Sequence, residues 1–397
     1  MPLSLSRSAS AIRASVFAEL APRIERRRRS GGDLVELHLG DTHRAPPPPA
    51  RFARLEEDAF DAGLYRYGSV LGLPELRHAF AARLEVMGRA MPGADPERDV
   101  LVGCGATHAL FCTMRAVLEA GDEVLVAAPY WPLAVGVIRS AGAVPVEVPF
   151  TNRLYDDPSL DAGSILGAAV TPLTRAIYFA TPNNPDGKVL SRAQLVGIAR
   201  LAIERGLWVF ADEVYADYVY EGEHRSIARL EGMAGQTVSV YSVSKSHALA
   251  GARVGFAVAP ERVVAVARRV GTHSVFNVPV AAQRLTLSAL HGAGAWVEEA
   301  RADYRAARDD LLGGLGGAGL HVSVPEGGSY AFVDFAPVLG GRTPQALLES
   351  AVDRGVLVAP GDGFGDAFAS SARICFTSVP RPRLVEGIRR LRDAIDA

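Results

Sequence analysis

Lys245 lies in the run Tyr241-Ser242-Val243-Ser244-Lys245, just past a short apolar stretch, and Arg253 follows in Ala250-Gly251-Ala252-Arg253-Val254-Gly255. A lysine among small residues at the end of an apolar strand is partly desolvated, which lowers its pKa and frees an amine to condense with a carbonyl. Taken alone, that lysine also fits an ordinary surface position. Arg253 shifts the balance, because a guanidinium between glycines in an apolar surround needs an anion, and phosphate suits it. Upstream, Phe210-Ala211-Asp212-Glu213-Val214-Tyr215 makes Asp212 the first charge after the apolar run 207–211. It is either a solvent-facing acid at a strand end or a carboxylate that keeps a pyridine nitrogen protonated. Thr181-Pro182-Asn183-Asn184-Pro185-Asp186-Gly187 has the composition of a turn and again follows an apolar run. Polar segments at three successive strand ends converge on one rim, where open α/β sheets bind ligands.

Two further segments fit the same ligand. Gly103-Cys104-Gly105-Ala106-Thr107 opens a helix, whose free amides form an anion site that small residues leave accessible. Pro129-Tyr130-Trp131-Pro132 places an aromatic pair after a strand, suited either to core packing or to stacking on a planar ring.

The bulk properties narrow the partner. At 397 residues the chain exceeds the size at which one core stops growing, so two packed domains are expected. A net charge of −2 gives no pull towards nucleic acid or an anionic membrane, leaving a small molecule as the expected ligand. No run approaches the roughly eighteen unbroken apolar residues of a membrane helix, since Pro129 and Pro132 interrupt the nearest candidate, 124–138. Cys104, Cys112 and Cys375 are isolated, which suits a reducing cytoplasm and offers no metal-ligand spacing. No metal is expected.

The elements that must position these residues alternate. Helical patterns at 74–89, 106–119 and Arg192–Arg205 separate apolar runs at Glu123–Ala128, 144–148, 176–180, 207–211, 237–241 and Val254–Val258. Continuous apolar strands between helices predict an α/β fold whose sheet is mostly parallel and covered on both faces. Beyond His291-Gly292 the texture changes to a long charged helix at 296–312 and Gly-flanked alternating strands at 329–335 and 372–377, the marks of a smaller α+β domain. The N-terminal segment is expected to join it through a strand at 35–39. Pro46-Pro47-Pro48-Pro49 reads as an extended linker. Residues 1–15 lack acids and faintly resemble a transit peptide, but one amphipathic helix over 9–29 is the expectation, with Arg26-Arg27-Arg28-Arg29 as its solvated end.

Together and in this order, the motifs resemble the class I/II aminotransferases of pyridoxal 5′-phosphate (PLP) fold type I, the aspartate aminotransferase-like group, over about residues 10–388. The resemblance implies a large PLP-binding domain at 52–292, with a mostly parallel mixed sheet flanked by helices. Residues 1–51 and 293–397 would form the smaller domain and an N-terminal arm. It implies a cytoplasmic enzyme of amino acid metabolism that moves an amino group from an L-amino acid to a 2-oxo acid. Lys245 would carry the cofactor as an internal aldimine (a Schiff base) and shuttle protons. Asp212 would pair with the ring nitrogen, while Asn184 and Tyr215 would hydrogen-bond the ring oxygen and Trp131 would stack on the ring. Ser242, Arg253 and the amides of Ala106 and Thr107 would hold the phosphate, and Gly105 and Ser244 would also belong to the cofactor site. Arg373 would clamp the substrate α-carboxylate, with Gly40, Trp131 and Asn184 beside it. Tyr67 would reach the phosphate of a second subunit in a homodimer with shared active sites.

The chain departs from that pattern at Thr181, where asparagine is usual, at Asp186, where threonine or serine is commoner, and at Thr42, where proline is usual. It offers no clear second arginine for a side-chain carboxylate, because Arg268, Arg269 and Arg284 fall on expected helix surfaces. A PLP lyase or cyclase would use the same residues, and a non-catalytic regulator on this fold would not need Lys245 with its supporting acid.

Overall fold

The computed structural model describes residues 5–13, 17–55 and 63–397. Its central feature is a seven-stranded mixed sheet. The strands run in the order Val100–Cys104, Val254–Val258, Thr237–Ser242, Trp208–Asp212, Thr174–Ala180, Glu123–Ala128 and Val144–Pro149. The last five are mutually parallel, and Val254–Val258 runs antiparallel to both of its neighbours. Val100–Cys104 is an element that sequence reading missed, because the glycines at 103 and 105 drew the boundary of a helix into it.

Strand periodicity sends alternate side chains to opposite faces. Tyr178, Phe210 and Val240 pack with the helices Gly105–Val117 and Pro132–Ser140 on one side. Ile177, Phe179, Val209 and Ala211 pack with Arg192–Arg205 on the other. Both faces are therefore buried, which is why these strands read as unbroken apolar runs. Helix Arg192–Arg205 begins with a capping box between Ser191 and Gln194 and stops at Gly206, whose φ of 63° is left-handed.

A second, four-stranded antiparallel sheet comprises Ala359–Pro360, Ser371–Cys375, Tyr330–Asp334 and His321–Val322, with Phe332 opposite Arg373. Its core includes Tyr304 and Leu311 of helix Gly294–Leu315, Val352 of Pro344–Arg354 and Leu391 of Arg381–Ile395. Leu20, Ile24, Val35 and Leu37 pack into the same core. The expected strand at 35–39 is shorter, Val35–Glu36, and pairs in parallel with Val356–Leu357. Leu37 extends the connection, its amide bonding to Leu357 and its carbonyl accepting from Cys375, both at 2.8 Å. This anchors the segment that next passes over the cleft.

Two local expectations are corrected. The helix foreseen over 9–29 is two helices, Arg7–Ser10 and Ala21–Arg29, with Pro22 in the first turn of the second, where a missing N–H costs nothing. Residues 14–16 lie outside the described residues. The proline run is not a free spacer, because Pro48–Ala50 closes a 3₁₀ turn against helix Val280–Gly292, and Pro47 and Ala50 are buried. Proline rings are themselves apolar surface, and here they have a face to cover. No described helix is long and apolar enough to cross a membrane.

Candidate active site

Three neighbouring parallel strands end side by side, with Ala180 opposite Asp212 and Asp212 opposite Val240. Beyond their carboxyl ends lies a cleft of about 270 Å³. Ala106, Thr107, Trp131, Asn184, Asp212, Tyr215, Ser242, Ser244, Lys245 and Arg253 line it on the side of the large sheet, and Gly40 and Arg373 on the other. Two residues singled out from the sequence do not line it. Gly105 lies beneath Arg253, and Tyr67 is 86% exposed, edge-on to Phe276 at 5.0 Å.

The chain is drawn into short structures at each strand exit. Ser242 caps the one-turn helix Val243–Ser246 by accepting from the Ser244 amide at 3.0 Å, and this turn carries half-buried Lys245 into the cleft. Lys245 Nζ donates to the carbonyl of Gly40. Two residues earlier in that segment, the carbonyl of His38 accepts from Arg373 Nη2 at 2.7 Å. One stretch of backbone thus holds the amine and the guanidinium apart.

At the opposite end, helix Gly105–Val117 begins against Arg253. Gly105 has a φ of +76°, and a Cβ there would lie 2.4 Å from the arginine's Nη2, so only glycine permits the approach. Arg253 bonds to the carbonyl of Ala250 at 2.9 Å. Neither Arg253 nor Arg373 has an acidic side chain within ion-pair distance among the described residues.

Asp212 is the converse case. Its Oδ2 accepts from Tyr178 at 2.9 Å and its Oδ1 from the Val214 amide at 3.3 Å, but among the described residues no cation pairs with it. Burial pushes its carboxyl up to about 6, and the two hydrogen bonds oppose that rise without cancelling it. Burial likewise raises the Tyr215 hydroxyl, which stands 2.7 Å from that of Tyr330. Arg373 is 8% exposed. Its Nη1 donates to Asn184 Oδ1 at 2.9 Å, its Nε has no hydrogen-bond partner among the described residues, and its Cζ lies 4.2 Å from the ring centroid of Tyr330 and 4.9 Å from that of Phe364.

The residues therefore fit an anionic aromatic cofactor and a carboxylate substrate. A buried acid lacks a cation, two guanidinium groups lack anions, and an amine stands between them. Asp212 and Arg373 are buried, and a buried charge left unpaired costs several kcal/mol, about 3–5 for a broken pair, so their missing partners belong to the ligands. Arg253 is exposed and carries no such cost, but its guanidinium stands at the start of helix Gly105–Val117. Sequence reading did not find Tyr178, Tyr330 or Phe364. Tyr178 was hidden inside an apolar strand. Tyr330 and Phe364 follow Gly-rich turns that carry no chemical signature of their own.

Comparison with known proteins agrees with this geometry. A profile of the family described as aminotransferase class I and II matches residues 35–391. The aspartate/prephenate aminotransferase of Thermus thermophilus is 34% identical over 365 residues, covering 91% of both chains. The arginine–pyruvate transaminase AruH of Pseudomonas aeruginosa is 34% identical over 363 residues, covering 91% of this chain and 90% of that one. The solved structure of the Thermus thermophilus aspartate aminotransferase with maleate superposes with a TM-score of 0.89 at 33% identity, covering 99% of this chain and 100% of that one.

Proposed function

This chain belongs to the class I and II aminotransferase family, and we propose that it uses PLP, held covalently by Lys245, to move an amino group from an L-amino acid to a 2-oxo acid. The observation that carries the proposal is the pair of buried charges in the cleft that are unmatched among the described residues, Asp212 without a cation and Arg373 without an anion, with the exposed Arg253 also lacking one. A protonated pyridine ring, a phosphate and an α-carboxylate would satisfy all three.

In this reading Lys245 holds the cofactor through its amine, and Arg253, Ser242, Ser244 and the amides of Ala106 and Thr107 hold its phosphate, with Gly105 leaving room for the arginine. Asn184 and Tyr215 bond the ring oxygen, and Trp131 covers the ring. When bound, PLP supplies an electron sink for the pair left behind as the substrate's α-carbon loses its proton. The chain does the rest. Asp212 keeps the ring nitrogen protonated, and that proton would in turn pull the carboxyl back down towards its ionised form. Arg373, already aligned by Asn184 and the His38 carbonyl, binds the α-carboxylate through two parallel hydrogen bonds. That fixes the substrate beside Gly40 and presents its α-carbon to Lys245 Nζ, the only amine among the described residues that line the cleft, which takes up and returns the proton.

The amino donor is not taken from the relatives, whose names point to different substrates. The basic residues lining the cleft are Lys245, Arg253 and Arg373, all of which already have roles. A homodimer with shared sites is part of the same proposal. Exposed Tyr65, Tyr67 and Phe276 form an aromatic surface suited to a second copy, whose phosphate Tyr67 would reach. The proposal also divides the chain into a cofactor-holding domain at 52–292 and a smaller one from 1–51 and 293–397. It places the enzyme in the cytoplasm, consistent with three free cysteines.

Borohydride reduction of the PLP-loaded protein followed by peptide mass spectrometry is expected to find the cofactor's mass on the peptide bearing Lys245. Adding an L-amino acid alone is expected to release one equivalent of 2-oxo acid per site. An unmodified Lys245, or release of ammonia with continued turnover, would refute the reading.

A further inference from the structure

Tyr330 begins a strand of the smaller sheet, Tyr330–Asp334, yet its side chain lines the cleft and is only 2% exposed. Three features of the site meet on it. Its hydroxyl stands 2.7 Å from that of Tyr215. Its ring lies 4.2 Å under the guanidinium of Arg373. Its hydroxyl also presses on Gly40, where an added Cβ would fall 1.8 Å from the Tyr330 oxygen. The segment that accepts from Lys245 is thus in contact with the same side chain.

We propose that Tyr330 is a positioning residue with two separable parts: its hydroxyl sets the hydrogen bond that Tyr215 gives to the cofactor, and its ring sets the guanidinium plane that receives the substrate carboxylate. This rests on the assignment of Tyr215 to the cofactor's ring oxygen. That oxygen, as an anion, can only accept, so the Tyr215 proton must point towards it. The 2.7 Å contact then leaves Tyr330 as the donor to Tyr215. A hydroxyl that accepts one hydrogen bond becomes a better donor for the next, and in a buried site the pair acts as a unit. The second part follows from stacking. Arg373 is held edgewise by Asn184 and the His38 carbonyl, and among the described residues the rings of Tyr330 and Phe364 lie against its face.

The test separates the parts with Tyr330→Phe and Tyr330→Leu in the PLP-loaded dimer. The more basic form of the bound cofactor carries more negative charge on its ring oxygen, and donation from Tyr215 favours that form. Tyr330→Phe is therefore expected to raise the midpoint of the cofactor's visible pH titration by on the order of 0.5 unit, with KM for the amino donor changed less than about twofold. Tyr330→Leu is expected to raise the midpoint similarly and to weaken binding of the inert carboxylates succinate and 3-phenylpropionate by about tenfold. A Phe variant that titrates like the parent overturns the hydroxyl's role. A Leu variant that binds those carboxylates like the parent overturns the ring's. If the parent itself shows no titrating visible band, the fault lies with the cofactor assignment, not with Tyr330. The isosteric Phe variant preserves packing, so the first result stands even if the Leu variant folds poorly.

Discussion

Asp212 and Glu213 are consecutive in the chain but serve opposite faces of the large sheet. Both are buried, and burial pushes both carboxyls up, to about 6 and about 7. Asp212 shares the face of Tyr178 and Val240 and opens into the cleft. Glu213 turns to the far face, where Ser226 and Tyr241 each donate to it at 2.7 Å and Ser239 at 3.3 Å. A displaced pKa therefore does not by itself mark a functional acid. What separates the two is that Glu213 has its lone pairs occupied in a closed network, whereas Asp212 faces open space that a cation could fill. One face is built to be completed by a ligand, the other already completes itself.

Substitutions can break or sharpen that contrast. The largest effect is expected from Lys245→Ala, which should take turnover below detection while the thermal midpoint of the cofactor-free protein moves by less than about 3 °C. Asp212→Ala should lower kcat by about a thousandfold or more through loss of the protonated ring, and near-normal turnover would show that this carboxylate is not the ring's partner. Arg373→Ala should raise KM for the amino donor by about a hundredfold, with a smaller fall in kcat, measurable in initial-rate kinetics.

The smallest effect on activity belongs to the far face. Glu213→Gln should leave kcat within about threefold, because Ser226 and Ser239 can still donate to an amide oxygen while the Tyr241 hydroxyl can accept from the amide nitrogen. Its signature is in stability. A carboxyl raised from 4.5 to about 7 binds a proton in the folded state that the unfolded chain releases, so stability falls as pH rises through that window. The contribution is on the order of 3 kcal/mol, fully lost only above the folded pKa. The glutamine variant should therefore show a flatter dependence of thermal midpoint on pH than the parent between about pH 5 and 8. A profile that stays as steep as the parent's, or a collapse of activity like that of Asp212→Ala, would erase the distinction between the faces.

Lys245, Asp212 and Asn184 could be picked out along the chain because each follows an apolar run, and strand exits on one rim must lie together. Arg253 stood out for its glycine-flanked surround, and the antiparallel run of Val254–Val258 brings it to the same rim. Arg373 could not be found that way. Its neighbours Ala372 and Ile374 are those of any buried strand, and only family resemblance singled it out. Tyr330 escaped notice altogether, since its significance lies in touching Tyr215, 115 residues away. The misread helix over 9–29 has a similar origin. Alanine and arginine favour helix locally, but Leu20 and Ile24 are placed by a core whose other buried members, Val35 and Leu37 apart, lie beyond residue 217.

Short-range periodicity was enough to determine an alternating α/β chain and the strand ends that carry polar groups, while net charge pointed to a small ligand and the family resemblance to its class. Only the closed tertiary structure could decide which carbonyl receives Lys245, 205 residues away, or that Asn184 aligns Arg373 across 189 residues. The physical reason is that apolar patterning records which face of an element is buried. The partner across a cleft is set by where distant segments meet once those faces have packed.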